Sequence, residues 1–373
     1  MLLLWLLLSA SGLYYLAALY ASLGCRPRRQ ASPFSPPVSV LKPARGREPD
    51  LLSCARSQAA QRYPDFEILF AVSDPADPAI AEVRALAGEF PRRRIEVFLT
   101  DRRFGPNDKV NGLERLRRES RSALLVINDS DIRVDPDYLR RVVAPLADPS
   151  IGLVTSLYRG APQGGLPALL EALWISTDFQ VGALVARLLG IRFALGATLA
   201  LRREDLDRAG GFAPLAGYLA DDYQLGRWIS DRGLRIELAE GAVETVLPRQ
   251  GWGESWRRRI RWGRTLRACR PWGYAGTLVT FAAPLGAAAV AVDPSLWPLA
   301  TACLALRLAA AFAIGARLLG DPAARRYFFL IPLADLASFL VWAGSLFGRG
   351  VVWGGQRFRL TGDGRLHPSG ASG

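Results

Sequence analysis

Residues 2–25 are almost wholly apolar, and no other stretch limits so strongly what this chain can become. About 20 apolar residues cross a bilayer as a helix. Arg26, Arg28 and Arg29 follow at once. A cleaved signal peptide carries its positive charge before the apolar run, and here it comes after. Ser22-Leu23-Gly24-Cys25 lacks the leucine expected three residues before the cysteine of a lipoprotein cleavage box. The segment is therefore expected to stay as a transmembrane anchor, with its amino end outside and Arg26 to Arg29 in the cytoplasm.

Three further apolar segments lie at 273–292, 296–316 and 327–347. Arg317, Arg325 and Arg326 mark the loop between the last two as cytoplasmic, while the tail carries Arg349, Arg357 and Arg359. Three straight crossings would leave that tail outside, against the positive-inside bias. One segment is thus expected to be re-entrant or interfacial, and Pro284 makes 273–292 the candidate. Arg307 and Asp335 sit inside apolar segments, where an unpaired charge costs at least ~2.5 kcal/mol. They are expected to pair with each other; the alternative is an entry point for a polar lipid headgroup.

Half of the 373 residues are hydrophobic and the net charge is +13. That pairing points to nucleic acid, an anionic membrane surface or a phosphorylated substrate. The long apolar segments favour the last two and argue against nucleic acid. Cys25, Cys54, Cys269 and Cys303 show no metal-ligand spacing. His367, the only histidine, lies in a Gly/Pro/Ser tail expected to be disordered, so any catalytic base should be a carboxylate.

Between the anchor and the later apolar segments, strands and helices alternate. Val38–Pro43, Phe66–Asp74, Arg94–Thr100, Leu153–Leu157 and Leu234–Val246 have strand character. Helical patterns occupy 50–62, 78–90 and 204–209, and the apolar region 163–190, with Trp174 and Phe179, suits a surface close to the membrane. The alternation predicts an α/β domain with a mostly parallel, doubly wound sheet. Leu124-Leu-Val-Ile127 reads as a buried strand, and Asn128-Asp129-Ser130-Asp131 follows it. Such a strand delivers two carboxylates to the carboxyl edge of the sheet, where open α/β sheets bind ligands. Two carboxylates one residue apart can hold a hard divalent cation, or form no more than an acidic turn.

Asp74 falls at an equivalent strand end, and Lys109 at the start of a helix after a polar loop. Asp74 suits a base or ribose contact, or a turn before Pro75; Lys109 suits a phosphate, or solvent. Gly196-Ala197-Thr198 offers small residues that let a ligand approach the backbone. Asp221 and Asp222 open a helix running to about 231, a favourable place for acids in any case. Last come seven arginines between 257 and 270, interleaved with Trp256, Ile260, Trp262 and Leu266. They suit a helix in the headgroup region, and their guanidinium groups can clamp a diphosphate.

Asp74, Asp129-Ser130-Asp131, Asp221-Asp222 and Arg258-x-x-Arg261-Trp262 stand in the order D, DxD, (E/D)D and (Q/R)xxRW. That set resembles inverting GT-A glycosyltransferases. Ser39-Val-Leu-Lys-Pro43, Asp74-Pro-Ala-Asp77-Pro78-Ala79, Asp131-Ile-Arg-Val134 and Gly196-Ala-Thr198 are similar, more narrowly, to the ceramide glucosyltransferase group. The resemblance covers about 38–265. It implies a GT-A, Rossmann-like catalytic domain at 38–253, facing the cytoplasm of a multi-pass inner-membrane protein. A linker at 26–37 would precede it; an interfacial helix at 254–270, membrane segments at 271–348 and a basic tail at 349–373 would follow.

The resemblance also implies roles. Asp74, Lys109, Asp129, Arg258, Arg261 and Trp262 would bind the UDP-sugar, while Asp129 and Asp131 would hold Mg2+ or Mn2+. Asp222 would be the general base, and Gly196, Thr198, Asp221 and Trp262 would meet the acceptor. Animal ceramide enzymes tend to carry a histidine near Ser176-Thr177-Asp178, and this chain has none there. UDP-glucose with ceramide is favoured, and N-acetylglucosamine transfer to a hopanoid is the alternative. A processive polysaccharide synthase and a non-catalytic lipid-binding scaffold are the remaining readings. The charge asymmetry predicts that a cysteine introduced in the loop 317–326 is labelled only from the cytoplasmic side. Labelling from outside intact cells would refute that topology.

Overall fold

A computed structural model describes residues 1–25, 34–46 and 50–369. Arg26, Arg28, Arg29 and most of the expected linker lie outside the described residues. The chain divides into two compact units. One comprises Pro27–Leu157 and Arg192–Val246, and the other Met1–Arg26, Tyr158–Ile191 and Leu247–Gly373.

The first unit holds a mixed eight-stranded sheet, apart from the last residues of its sixth and eighth strands in chain order. Its strands are β1 Val38–Pro43, β2 Phe66–Val72, β3 Ile95–Leu99, β4 Leu124–Ile127, β5 Ile132–Arg133, β6 Ile151–Pro162, β7 Leu199–Arg202 and β8 Arg235–Leu247. The order is β3-β2-β1-β4-β7-β6-β8-β5. β1, β2, β3 and β4 are parallel neighbours, and β7 then joins β4 antiparallel. β1, β2 and β4 are buried along almost their whole length, as continuous aliphatic runs require when helices cover both faces. Leu41 pairs with Ile127, and Ile127 with Leu199. The carboxyl ends of β1 and β4 and the amino end of β7 therefore share one edge. Leu41, Leu69, Val110, Leu113, Leu125, Ile127, Leu199 and Phe212 form the core beneath it.

The second unit collects the apolar segments. Among the described residues, four helices are long and apolar enough to cross a membrane: Leu2–Gly24, Leu166–Leu188, Pro294–Leu318 and Phe328–Ser345. The Leu166–Leu188 helix exceeds the membrane-near surface expected of 163–190, and it groups with these segments rather than with the sheet. Its 23 residues, with mean hydropathy 1.3, account for the difference. The segment predicted to depart from a straight crossing is bent by 68° between Pro271–Thr280 and Ala282–Val292. Pro284 lies in the first turn after the bend, where backbone N–H groups have no helical partner and proline removes nothing.

Arg307 and Asp335 do pair. The guanidinium meets both carboxylate oxygens at 2.6–3.2 Å, in full burial. Arg307 Nη1 also donates to the carbonyl of Thr177 at 2.7 Å. Thr177 lies in a π-turn, Ile175–Phe179, which interrupts the ordinary i→i−4 ladder of the Leu166–Leu188 helix. A second π-turn, Phe312–Leu318, packs against the first through Gly315, where a Cβ would lie 2.9 Å from Thr177 Cγ2. A side chain there would push the two turns apart.

The tail forms an antiparallel sheet of β9 Gly350–Trp353, β10 Gln356–Leu360 and β11 Leu366–Pro368. His367 thus sits exposed on a strand rather than in a disordered tail. Phe358, Leu360 and Leu366 are buried in this small sheet, which is enough apolar surface to order it.

Removing one member of a buried ion pair typically costs 3–5 kcal/mol, because the survivor stays charged in an apolar site. Arg307→Met should therefore lower the thermal unfolding temperature sharply in detergent, and adding Asp335→Leu should restore most of the loss. Equal melting of the Arg307→Met variant and the parent would show that the pair carries no stability.

Candidate active site

β4 ends at Ile127, and the next four residues divide their work. Asn128 is fully buried and donates to Ala197 O at 2.7 Å, Tyr138 Oη at 3.1 Å and Thr198 Oγ1 at 3.2 Å, while its own oxygen accepts from Gln58. These bonds fix the strand end against the loop before β7. Asp129 and Asp131 then project at the sheet edge, as their spacing predicts. Thr245 on β8 donates to Asp131 Oδ2 at 2.9 Å. Burial and the Asp129 carboxylate push Asp131 up to about 6, against the Thr245 hydroxyl and the Lys42 ammonium.

The chain has only two lysines, Lys42 and Lys109, among its 47 basic residues. Both reach Asp129. Lys42, wholly buried near the end of β1, donates to the Asp129 carbonyl at 3.0 Å. Lys109 lies 2.7 Å from Asp129 Oδ1 and 3.5 Å from Asp221 Oδ2. Although burial opposes its charge, Asp129, Asp221 and Asp222 hold its ammonium above the usual range. Lys109 therefore bridges the acids rather than standing in solvent. Its position follows from Asn107, which caps the helix Asp108–Glu119 and donates to Tyr218 O at 2.8 Å, just before the second acid pair. Lys42 is a site residue that no motif marks; the rarity of lysine in an arginine-rich chain is the one signal that could have singled it out.

Asp221 and Asp222 open the helix Asp221–Asp231. Burial raises Asp221, with Lys109 opposing. Burial and then the Asp221 charge push Asp222 up to about 6, again against Lys109. Asp222 Oδ1 accepts the Tyr223 N–H at 2.8 Å. A Cβ on Gly196 would come within 2.9 Å of Asp222 Oδ2, so only glycine leaves that carboxylate in place. Thr198 is fully buried, with its hydroxyl bonded to Tyr138, Asn128 and Ala197 O. Those bonds hold the loop before β7. Asp74 is exposed beyond β2, with Oδ1 accepting from Ala76 N at 2.8 Å.

In the other unit, the helix Trp252–Cys269 spreads its arginines over different partners. Arg258 is bound at 2.7 and 2.8 Å by Glu171, which is itself fully buried and also accepts from Gln250 and Ser255. Arg258 is thus paired with a buried carboxylate. Arg261 lies 4.6 Å from the Trp353 ring centroid and has no ion-pair partner among the described residues. Burial, with Arg258 nearby, lowers Arg261 to about 10. Trp262 packs on Trp174 with ring centroids 5.4 Å apart.

Asp129 and Asp131 fit a divalent cation by two observations. Burial together with the neighbouring Asp129 charge raises Asp131, which a cation would relieve, and both residues offer oxygen donors at the carboxyl edge of the sheet. Among the described residues no cluster of three or more His, Cys, Asp or Glu is poised to hold a metal. The remaining ligands would have to be phosphate oxygens and water, the set that magnesium-type ions prefer.

The sequence matches Glycosyl transferase family 21 over residues 3–366. It is 28% identical to ceramide glucosyltransferase 1 of Caenorhabditis elegans over 211 residues, covering 56% of this chain and 45% of that protein. It is 30% identical to a ceramide glucosyltransferase of Candida albicans over 121 residues, covering 29% of this chain and 22% of that one. The matches therefore span less than half the length of these relatives. Among solved structures, a mannosyltransferase from Pyrobaculum calidifontis in complex with GDP-Man and Mn2+ superposes with a TM-score of 0.53 at 21% identity. That match covers 92% of this chain and 99% of the other, and it shows a common fold.

The contact at Gly196 generates a direct test. A misplacement of about 1 Å costs on the order of 10² in rate. Gly196→Ala should lower glycosyl transfer by about that factor while melting stays near the parent's. Unchanged transfer would remove Asp222 from the chemistry.

Proposed function

The chain belongs to Glycosyl transferase family 21, and from that premise we propose a membrane-bound inverting hexosyltransferase. It moves a hexose from a UDP-sugar, UDP-glucose in preference, to the hydroxyl of a lipid such as ceramide. The observation that carries this reading is the junction of the Asp129/Asp131 and Asp221/Asp222 pairs through Lys109, at the carboxyl edge of a nucleotide-type sheet. The matched ceramide glucosyltransferases support the lipid acceptor, and the apolar helices support a multi-pass membrane enzyme, which this reading sets in the inner membrane with its catalytic domain cytoplasmic.

In this reading Asp222 takes the proton of the acceptor hydroxyl. The oxygen attacks the anomeric carbon from the face opposite the diphosphate, the bond to UDP breaks with its electron pair leaving on UDP, and the configuration inverts. A carboxyl raised to about 6 is a stronger base than an ordinary aspartate and remains ionised at neutral pH. Lys109 holds Asp129 and Asp221 in register, and Gly196 keeps the space in which Asp222 stands. Asp74 would meet the nucleoside, and Arg261, unpaired by carboxylate, would meet the diphosphate. Mg2+ or Mn2+, held by Asp131 with Asp129, would supply positive charge to the departing diphosphate.

Asp222→Asn keeps the shape but cannot take a proton, and a general base is typically worth ~10²–10⁴ in rate. Transfer should fall by at least on the order of 10², with UDP-sugar affinity little changed. Loss of donor affinity with normal turnover would make Asp222 a binding acid instead. The parent's transfer should also decline below about pH 6, as Asp222 gains its proton. Excess chelator should stop transfer and Mg2+ or Mn2+ restore it; full activity in chelator would sink the metal assignment. Mass spectrometry of lipids from cells with and without the protein decides the product. Hexosylceramide supports the proposal, an N-acetylhexosaminyl hopanoid transfers it to the alternative acceptor, and a polysaccharide product overturns it.

A further inference from the structure

A cavity of about 950 Å3 lies beside the carboxyl-terminal sheet, lined by Arg264 and Arg267 of the helix Trp252–Cys269 and by Arg349 and Arg359. Arg264 Nε donates to Phe347 O at 3.1 Å, and further guanidinium N–H groups of Arg264 and Arg267 bond the carbonyls of Leu346, Gly348 and Gly350. Carbonyls orient these two side chains without neutralising them. Arg349 and Arg359 are exposed, and among the described residues none of the four arginines pairs with a carboxylate. Burial and the neighbouring Arg267 draw Arg264 below its usual range, which marks positive charge crowded into one place. Four unneutralised guanidinium groups around one cavity call for an anion with several oxygens.

The surroundings identify the source of that anion. Leu346 follows the apolar helix Phe328–Ser345, and Pro271 opens the bent apolar pair; both line the cavity. Their chain neighbours Phe347 and Trp272 are 73% and 89% exposed. Large exposed aromatics where apolar segments end belong at the level of lipid headgroups. We propose that this cavity binds the phosphodiester of an anionic phospholipid, the arginines holding its oxygens while Trp272 and Phe347 enter the adjoining acyl boundary. A zwitterionic headgroup would bring a cation towards four like charges, so anionic lipids should be selected.

Calorimetric titration of the full chain in neutral detergent, with soluble dihexanoyl-phosphatidylglycerol as the probe, tests this. Saturable binding is expected, with dihexanoyl-phosphatidylcholine and inorganic phosphate each at least ~10-fold weaker. Arg349→Gln with Arg359→Gln removes two charges that have no carboxylate partner among the described residues, and should weaken binding roughly 30-fold. Arg92→Gln, an exposed arginine that does not line the cavity, should leave it unchanged. If the double variant does not fold, each single variant should lose roughly 5-fold. Binding that survives both substitutions in a folded protein would overturn the site. Inorganic phosphate binding as tightly as the lipid would overturn the lipid assignment. Because the readout is binding, it stands or falls separately from glycosyl transfer.

Discussion

The contact between Asp129 and the chain's two lysines is the constraint on which the sheet edge depends. Four carboxylates, Asp129, Asp131, Asp221 and Asp222, gather around two ammonium groups there. Fully ionised, four negative and two positive charges leave a net charge of −2. Burial, together with this imbalance, raises the carboxyls of Asp131, Asp221 and Asp222. A compact ammonium suits the place: Lys109 can approach two carboxylates on different elements, whereas a planar guanidinium fork would demand bidentate geometry from each. In a chain that otherwise uses arginine for positive charge, the two exceptions stand where a point charge is required. The residual −2 is also the charge that a divalent cation would cancel.

The apolar unit meets a comparable problem with a different solution. Arg307 and Asp335 lie on two apolar helices, and each would be intolerable alone. Their mutual bonds account for one side of the guanidinium. The other side is met by the Thr177 carbonyl in a π-turn. The π-turn thus belongs to the same arrangement as the ion pair, because a regular helix would have kept that carbonyl for itself. Gly315 allows the second π-turn to come close. Two charges inside this apolar unit are tolerated because Arg307 and Asp335 bond each other and the Thr177 carbonyl meets the rest of the guanidinium.

Much of this was legible in the sequence, for local reasons. The β1, β2 and β4 strands are buried aliphatic runs, and the helix beginning at Asp221 and ending at Asp231 matches its expected span. The acids at strand ends also fell where a parallel sheet puts them. What stayed hidden depended on distant pairing. The antiparallel half of the sheet follows from β7 joining β4, a choice that strand composition does not encode. Thr198 looks like an open small residue in sequence, yet Tyr138 and Asn128, remote in the chain, enclose it. The tail reads as disordered because its Gly and Pro content is high, but a few alternating apolar side chains suffice to fold it.

The arginine helix shows most clearly why a charge cluster is not a single binding site. Helical geometry turns each residue by about 100° from the last, so neighbouring arginines face different surroundings. Arg258 faces Glu171 and is neutralised; Arg259 donates to Ser338 and lies 4.8 Å from the Trp174 ring centroid. Arg261 meets only an aromatic face, while Arg264 and Arg267 turn to backbone carbonyls. Availability to an anionic ligand is therefore decided by the partner each guanidinium already has. Arg258, at the first position of the (Q/R)xxRW pattern, already has Glu171 as its partner. Arg261, at the fourth position, keeps its charge uncompensated.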